Sequence, residues 1–327
     1  MQVDKVWFTW EDHRRSRELA DSFNAKYVLL ESDRSRFIRY LILSYRTIKK
    51  IVFLRPSVVF CQNPSIVLAS LLCVIQKYFG FILVVDRHSN FKFEFENSKN
   101  PIWKLFLFLS KYSVRKAHLT IVTNIDLQSV VDSWGGRAEV LPDKLPNLYK
   151  HKYDGFKSKN FKNVFAITTF DSDEPIEEML GAASLLSDEY RIYFTGNYEK
   201  FFKGKNRTIK IPKNVEFLGF VPEDTYRNLL GSADVAVVLT KKNLILNCGA
   251  YESVSLNIPS VVSNTRTMKE YFYKGFVYTD IDPESIAQGI ISCAINGKSL
   301  KRDLRDLKVE LESRWNEKFL KVLEKLE

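Results

Sequence analysis

The sequence predicts an α/β protein with two domains, and three observations support this prediction. Short apolar runs alternate with helical stretches, which is the pattern of repeated βαβ units. Small or polar residues follow most of the apolar runs, as expected where the carboxyl ends of parallel strands line one crevice. Residues 142–162 are rich in lysine, contain two prolines and one glycine, and show no apolar periodicity. This segment is therefore the predicted boundary between two α/β series.

The first series contains six predicted strands separated by helices. The strands are 6–10, 27–30, 58–61, 82–85, 119–122 and 138–141. Helices are predicted over 17–23, 34–48, 65–78, within 92–116 and up to residue 134. The loop after the first strand contains no glycine, so the dinucleotide-binding GxGxxG pattern is absent. This absence argues against a dinucleotide-dependent oxidoreductase.

One stretch, 66–85, is long and apolar enough to raise the question of a membrane span. Gln76 and Lys77 lie in its middle, and Gly80 separates a helical first part from a β-rich second part. This division is typical of a buried helix followed by a central strand, which is the predicted structure.

The second series begins after residue 162. Its predicted strands are 163–167, 191–194, 215–218, 234–239 and 260–263, and its helices are 175–186, 222–230, a short one after residue 247, 285–296 and 304–326. Pro175 suits a first helical turn, and acidic residues nearby complement the helix dipole. We expect domains at 1–145 and 163–300, a hinge at 146–162, and a C-terminal helix within 301–327 that is long enough to pack across both domains.

Positive charge is concentrated in the first half of the chain. Residues 1–150 contain 23 Lys+Arg and 14 Asp+Glu (net +9), whereas the rest contains 26 and 25 (net +1), which together give the total of +10. An anionic partner is expected for the first half. The basic, Trp- and Phe-containing stretch 92–116 suits an anionic membrane surface, although an ordinary helix packed on a sheet has the same pattern. No nucleic-acid-binding module is recognisable, so nucleic acid is not the expected partner.

The four cysteines lie far apart, without the spacing of a zinc site or a disulfide framework. The first residues lack the pattern of a signal peptide. We therefore expect a cytoplasmic protein, and peripheral binding at the inner face of the cell membrane is one interpretation of its basic first half.

The stretch 235–265 is the strongest candidate for a ligand site. An apolar strand leads into the polar, basic loop Thr240-Lys241-Lys242, and a short helix then begins near Gly249. The first N–H groups of a helix lack intrahelical partners and carry partial positive charge, which suits a phosphate or diphosphate. Glu252, about one turn into this helix, can accept hydrogen bonds from a ribose-like diol.

Polar residues also follow two strands of the first series. Glu11, Asp12, His13, Arg14 and Arg15 come after the first strand. Asp86 and His88 follow the fourth, and their spacing of two residues can direct both side chains to one side. These residues are candidates for ligand binding or acid–base catalysis, although a capping loop and a structural histidine would have the same sequence.

Several segments of the second series together resemble bacterial group 1 glycosyltransferases of family 4, which have the GT-B architecture. The segments are NVEFLGF (214–220), YRNLL (226–230), SADV (232–235), GAYES (249–253) and NIPSVVS (257–263). The resemblance implies two Rossmann-like domains facing across a cleft, with 1–145 on the acceptor side. It also implies a hexosyltransferase that moves a sugar from a nucleotide diphosphate sugar to a hydroxyl of a glycan, polysaccharide or lipid-linked acceptor. No cofactor beyond this co-substrate and no obligatory metal are expected.

The resemblance also assigns roles residue by residue. Glu252 matches the glutamate that binds the nucleotide ribose, and Gly249 and Ala250 match the helix start beside the diphosphate. His88 matches an N-domain histidine that touches the donor sugar. A further match is the pocket-lining loop Thr195, Gly196 and Asn197.

The sequence departs from the family at two places. Leu244 stands where a second glutamate is common, and the acidic residues 171–174 replace an Arg…Lys pair. Thr240, Lys241, Lys242 and Arg14 (or its neighbour Arg15) are then the candidates for contacting the donor phosphates.

Two questions stay open from the sequence. An inverting enzyme needs a base near the acceptor, for which Glu11, Asp12, His13, Asp86 and His88 are candidates, whereas a retaining enzyme can do without one. A nucleotide-sugar 2-epimerase, or a non-catalytic partner subunit with the same fold, would also fit the pattern.

Overall fold

The computed structural model describes residues 3–62, 65–88, 91–148, 161–203 and 210–326. The chain divides into two compact units, an N-terminal unit (residues 1–144 and 315–327) and a C-terminal unit (145–314). Most of the predicted hinge, residues 149–160, lies outside the described residues.

The N-terminal unit is a parallel sheet between two layers of helices. Its elements are β1 (Lys5–Thr9), α1 (Arg14–Ser22), β2 (Lys26–Leu29), α2 (Arg36–Leu54), β3 (Val58–Gln62), α3 (Ile66–Phe79), β4 (Ile82–Asp86), α4 (Pro101–Lys116), β5 (Leu119–Val122), α5 (Ile125–Ser133) and β6 (Ala138–Val140). The strand order is β2-β1-β3-β4-β5-β6. Since the order reverses between β1 and β3, the carboxyl ends of these two strands flank the position where open α/β sheets bind ligands.

Alternate strand residues point to opposite faces of this sheet, and each face is covered by helices. One core joins the strands to α2, α3 and the end of α4 through residues such as Leu43, Leu72 and Val85. On the other face, Leu19 and Phe23 of α1 pack with Phe60 and Trp315. Trp7 and Phe60 of neighbouring strands stack with ring centroids 5.3 Å apart.

The C-terminal unit has the same layered design. Its elements are β7 (Lys162–Ala166), α6 (Ile176–Leu185), β8 (Tyr190–Thr195), α7 (Tyr198–Lys203), β9 (Val215–Gly219), α8 (Glu223–Ser232), β10 (Val235–Val238), α9 (Cys248–Leu256), β11 (Ser260–Ser263), α10 (Arg266–Tyr271), β12 (Phe276–Thr279), α11 (Pro283–Ile295) and α12 (Gly297–Glu324). The strand order is β12-β11-β10-β7-β8-β9, with every described pair parallel. The order reverses between β7 and β10, which is the Rossmann pattern.

Helix α12 begins at Gly297, four residues before the predicted C-terminal segment. Its first part belongs to the C-terminal unit, where Leu304, Leu307 and Leu311 are buried with Phe272. Its last part, from Trp315, belongs to the N-terminal unit, where the Trp315 indole donates a hydrogen bond to the Pro142 carbonyl oxygen.

The predicted fold class, α/β with two Rossmann-like domains, is confirmed. The stretch 66–85 forms α3 and β4, which are separated by Gly80 in the left-handed conformation (φ 71°). In the ranges that the structure describes, no helix combines the length and the apolar character needed to cross a membrane.

Candidate functional site

Arg15, in the first turn of α1, is the centre of a buried ionic network at the carboxyl ends of β1, β4 and β6. Its Nε and Nη2 donate to Asp86 at 2.8–3.0 Å. Its Nη1 donates to Asp143 at 2.6 Å, and Nη2 also donates to the Leu141 carbonyl oxygen. The Arg15 side chain is 2% exposed and that of Asp86 is fully buried. The sheet therefore holds one cation between two carboxylates.

The network sets the charges of its members. Burial alone would raise the pKa of Asp86, but the Arg15 guanidinium and the hydrogen bond from His88 outweigh it and hold that pKa well below its usual range. Burial opposes the charge of Arg15 in the same way, and the two carboxylates overcome it and raise its pKa. Both Asp86 and Arg15 are therefore ionised near neutral pH.

Two histidines lie next to this network. His88 Nδ1 is 3.2 Å from Asp86 Oδ2, and the ring of His88 lies 5.0 Å from that of His13 between centroids. His13 is the N-cap of α1, and its Nδ1 accepts the Arg15 backbone N–H. Both side chains are half-buried. Strand β4 thus ends by placing Asp86 and His88 on one side, while the intervening Arg87 packs on the opposite side against Phe91.

Two predicted residues of the same loop point elsewhere. Asp12 contacts Arg17 and Tyr27 at the exposed edge of α1. Arg14 lies 3.6 Å from Glu18, one turn further along the helix. From the sequence, Arg15 was predicted as an alternative to Arg14, whereas Asp143 was not predicted although it also follows a strand end.

In the C-terminal unit, Glu252 lies in the second turn of α9 and is held by a tyrosine. The half-buried Tyr226 of α8 donates its hydroxyl to Glu252 Oε2 at 2.5 Å. Burial, together with the nearby Glu252 charge, raises the pKa of Tyr226 well above its ordinary value, so its hydroxyl stays a donor. Glu252 is thereby oriented as an acceptor near the helix N-terminus, where Gly249 and Ala250 form the first turn.

The loop after β10 meets the loop after β7 at the reversal of strand order. Thr240 donates its hydroxyl to Asp173 Oδ2 at 2.7 Å. Lys242 Nζ lies 3.1 Å from Asp173 Oδ1, and Lys241 Nζ lies 2.7 Å from Glu178 Oε1. The three candidate phosphate contacts are thus brought together. Lys242 pairs with Asp173, which belongs to the acidic segment 171–174 that departs from the family, and Lys241 pairs with Glu178 of α6. These pairs are partly exposed, so each contributes little to stability.

The loops after β7 and β8 also lie close together. Thr168 donates its hydroxyl to the Thr195 carbonyl oxygen, and Gly196 has φ 103°. The Glu174 carboxylate accepts the N–H groups of Thr169 and Phe170, at 3.0 Å and 2.7 Å. Successive backbone N–H groups of this kind form an anion-binding nest, which here holds a carboxylate of the chain itself. Asn197 follows directly, before α7.

Residues 151–306 match the family model of group 1 glycosyl transferases. This part of the chain, slightly less than half of it, is similar to the group 1 glycosyl transferases. The match confirms the resemblance that was predicted from the motifs at 214–220 and 249–263, and with it the glycosyltransferase interpretation. No curated protein matches the chain significantly.

Solved structures share the fold of this chain at low sequence identity. HepE from Anabaena, in complex with UDP-glucose, has a TM-score of 0.75 at 12% identity, covering 99% of this chain and 100% of the other. Sucrose-phosphate synthase from Thermosynechococcus elongatus has a TM-score of 0.71 at 14% identity, and the match covers 91% of this chain and 79% of the synthase chain. A candidate UDP-N-acetylglucosamine 2-epimerase from Listeria monocytogenes has a TM-score of 0.62 at 10% identity, and the match covers 93% of this chain and 91% of the epimerase chain. These likenesses show the GT-B fold.

Proposed function

We propose that this protein is a glycosyltransferase, of family 4 type, that moves a hexose from a nucleotide diphosphate sugar to a hydroxyl acceptor. The observation that carries the proposal is the placement of Glu252 in the matched domain. Its carboxylate is fixed by Tyr226 beside the first turn of α9. A carboxylate oriented in this way can accept hydrogen bonds from the two hydroxyls of a ribose, while the helix N-terminus attracts the diphosphate.

The donor phosphates are proposed to bind where the loops after β7 and β10 meet. Lys241 and Lys242 supply positive charge there, and Thr240 supplies a hydroxyl. A bound diphosphate competes with Asp173 and Glu178 for these lysines. Because those ion pairs are partly exposed, exchanging a carboxylate for a phosphate costs little. Thr195, Gly196 and Asn197 border the same end of the sheet. Arg14, in the N-terminal unit, stays a predicted contact of the donor phosphates.

The chemical barrier is the cleavage of the anomeric C–O bond, during which negative charge develops on the leaving diphosphate. Cations and N–H groups that are already in place stabilise that charge without reorganising. No cofactor or metal enters this proposal, so turnover is expected to persist in EDTA.

Substitution of Glu252 by alanine is expected to weaken nucleotide-sugar binding. The loss of hydrogen bonds to a charged group corresponds to roughly 1.5–3 kcal/mol, or about a 10- to 150-fold higher Kd. Calorimetric titration with UDP-glucose, UDP-N-acetylglucosamine and GDP-mannose measures this loss. Glu223→Ala is the matched control, because Glu223 is an exposed carboxylate of the same unit, with a side chain 69% exposed. Equal affinity of folded Glu252→Ala and wild type would contradict the assignment.

An epimerase is the second candidate function, since the Listeria neighbour of similar fold is described as a candidate nucleotide-sugar 2-epimerase. An epimerase converts its substrate without an acceptor. Incubation of each nucleotide sugar with and without a panel of hydroxyl acceptors separates the two. Release of nucleoside diphosphate that requires an acceptor supports the transferase, and an acceptor-independent change of the sugar supports the epimerase.

We also propose that the acceptor side of the protein binds an anionic membrane surface through helices α2, α3 and α4. Residues 34–55 and 97–118 contain no acidic residue. Their cations are Arg34, Arg36, Arg39, Arg46, Lys49, Lys50, Arg55, Lys99, Lys104, Lys111, Arg115 and Lys116. Helix α3 contacts both of its neighbours, so the three helices form one layer.

The same layer carries apolar side chains on its outer surface. On α2, Phe37, Leu41 and Tyr45 repeat every four residues and are 75%, 59% and 67% exposed. On α4, Ile102 and Phe108 are 67% and 65% exposed. Aromatic and aliphatic groups flanked by cations are suited to the interface of an anionic bilayer, where each nearby cation contributes about 1 kcal/mol. This surface supports the expected peripheral membrane binding and a lipid-linked acceptor.

The triple variant Phe37→Ser/Leu41→Ser/Tyr45→Ser is expected to bind anionic vesicles at least ~10-fold more weakly, because the inserted apolar area is lost. Co-sedimentation with phosphatidylcholine vesicles, with or without phosphatidylglycerol, measures the binding. The control triple Phe220→Ser/Ile295→Ser/Val309→Ser removes comparably exposed side chains from the C-terminal unit. Equal losses in the two triples, or equal binding to both vesicle types, would contradict the assigned surface.

A further inference from the structure

Asp173, in the loop after β7, is held at three atoms by the loop after β10. Thr240 donates its hydroxyl to Asp173 Oδ2 at 2.7 Å, and Lys242 Nζ lies 3.1 Å from Oδ1. The backbone N–H of Lys241 donates to the Asp173 carbonyl oxygen, also at 2.7 Å. The Asp173 side chain is 20% exposed. The chain thus places one of its own carboxylates on a hydroxyl and an ammonium group that are suited to binding an anion.

Glu174 fills a second anion position in the same loop. Its Oε2 accepts the N–H groups of Thr169, Phe170 and Asp171 at 3.0 Å, 2.7 Å and 3.3 Å. Three successive N–H groups that converge on one oxygen form a nest for an anion. Burial raises the pKa of Glu174, although these hydrogen bonds oppose the shift. The nest therefore holds this carboxylate less firmly than the number of its hydrogen bonds suggests.

Aromatic packing shapes the nest independently of Glu174. Phe170 has a φ of 62°, a conformation that a bulky residue rarely adopts. It is 8% exposed, and its ring packs on those of Phe194 and Phe217 with centroids 6.2 Å and 5.9 Å apart. This packing fixes the position of Phe170 and with it the direction of the neighbouring N–H groups. Another anion would therefore meet a nest that is already formed.

We propose that Asp173 and Glu174 occupy the position of the donor diphosphate and inhibit donor binding until they are displaced. This inference rests on the proposed function, which places the diphosphate where the loops after β7 and β10 meet. The two carboxylates belong to adjacent residues, and each fills one anion position. A diphosphate likewise carries two linked anionic groups. The displacing ligand is thus a diphosphate, either free or part of a nucleotide.

Competition of this kind lowers the measured affinity of the donor. A carboxylate tethered to the protein has a high effective concentration at its contact, so it competes even when each contact is weak. The apparent Kd is the intrinsic Kd divided by the fraction of molecules in which the anion position is open. Removal of the carboxylate charge should therefore tighten donor binding. If Asp173 instead positioned Lys242 for the donor, the same change would weaken donor binding.

Asp173→Asn tests the direction of this effect, because asparagine keeps an oxygen for Thr240 and removes the charge. We expect the Kd of UDP or GDP to fall about 5-fold, the upper range for one partly exposed ion pair. The double variant Asp173→Asn/Glu174→Gln is expected to lower it about 10- to 30-fold. Calorimetric titration of the full chain measures both, and urea unfolding confirms that each variant is folded.

Asp171→Asn is the matched control, because it removes the same charge from the same loop. The Asp171 side chain is exposed, and it accepts the N–H of its neighbour Ser172. Screening by salt leaves such a charge a weak effect at a distance, so the Kd should change less than about 2-fold. Equal gains in Asp173→Asn and Asp171→Asn would mean that the general charge of the loop, rather than displacement of Asp173, sets the affinity. That result would overturn the inference.

Inorganic pyrophosphate distinguishes the two sources of the diphosphate. Tighter binding of UDP or GDP to Asp173→Asn, with or without tighter binding of pyrophosphate, supports the inference. Tighter binding of pyrophosphate alone would show that the carboxylates guard a site for a free anion, and it would overturn the assignment to the donor.

A second measurement uses the wild type and needs no variant. In crystals grown with UDP, we expect a phosphate oxygen within hydrogen-bond distance of Thr240 Oγ1 and Lys242 Nζ, with the Asp173 carboxylate displaced from both. Bound UDP beside an Asp173 that still contacts Thr240 and Lys242 would overturn the inference, whatever the variants show.

The titrations also separate this inference from the proposed function. If wild type binds UDP or GDP, and Asp173→Asn binds neither of them more tightly than Asp171→Asn does, the inference is wrong and the proposed function stands. If neither wild type nor any variant binds a nucleoside diphosphate or a nucleotide sugar, the proposed function fails, and the inference fails with it.

Discussion

Replacement of Arg15 by leucine is expected to lower the free energy of unfolding of the N-terminal unit by about 3–5 kcal/mol, the usual cost of breaking a buried ion pair from one side. Leucine leaves the carboxylates of Asp86 and Asp143 without their cation in a low-dielectric surrounding. It also removes the donor to the Leu141 carbonyl oxygen. Urea unfolding followed by tryptophan fluorescence measures the change.

Arg14→Leu is the matched control, because it removes the same kind of side chain from the adjacent position. The Arg14 side chain is 28% exposed and lies 3.6 Å from Glu18. A pair of this kind contributes about 0–1 kcal/mol, so the control should differ little from wild type. Similar losses in both variants would mean that the network around Arg15 adds no stability beyond that of a surface pair.

The pH dependence gives an independent check on the same network. In the wild type the pKa of Asp86 is depressed, so its stabilisation is present above the unfolded value of about 3.9 and is lost as the pH falls below it. Without Arg15, burial instead raises the pKa of Asp86, so the variant loses stability as the pH rises above about 4. The difference in stability between wild type and Arg15→Leu is therefore expected to be largest near pH 7 and to narrow toward pH 4 and below. A constant difference would contradict this account.

The sequence predicted the order of strands and helices well, because buried strands and amphipathic helices have strong periodicity. Strands 119–122 and 260–263 agree with β5 and β11 to the residue. The missed elements have weak patterns. Helices α7 and α10 have only six residues each, less than two turns, and the outer strand β12 is buried at its two ends alone. Helix α2 runs to Leu54, beyond the predicted end at 48, because Ile51 and Leu54 continue its buried side.

The candidate sites were only partly predictable, for a reason of topology. Asp86 and His88 are two residues apart on one strand, so their proximity follows from the strand period. Arg15 and Asp143 are separated by 128 residues, and they meet because β1 and β6 end at the same edge of one sheet. The pairing of Lys242 with Asp173 depends in the same way on β10 lying beside β7. Without the strand order, the acidic segment 171–174 could be recognised as a departure from the family but not as the partner of Lys242.

Gly196→Ala is the second substitution with a large expected effect, because the position combines an unusual backbone angle with a close backbone contact. Its φ of 103° lies in a region that residues with a Cβ rarely adopt. A Cβ here would lie 2.4 Å from the Thr168 carbonyl oxygen and 2.9 Å from the Thr169 Cα atom. Backbone atoms cannot rotate away as a side chain can. The angle costs about 1–2 kcal/mol and the overlap about 1–3 kcal/mol, so we expect the free energy of unfolding of the C-terminal unit to fall by roughly 2–5 kcal/mol.

Gly219→Ala separates these two contributions within the same unit. Gly219 also has a positive φ, 70°, but among the residues that the structure describes a Cβ there would meet only the Tyr198 ring, at an ordinary contact distance of 3.7 Å. Gly219→Ala should therefore lower the free energy of unfolding by about the cost of the backbone angle alone, about 1 kcal/mol. Urea unfolding of both variants measures the difference, and donor titration shows whether displacement of the loop after β8 also weakens nucleotide binding. If the two variants lose equal stability, the contact between the loops after β7 and β8 is looser than the geometry indicates, and Thr168 does not fix the position of the 195–197 loop.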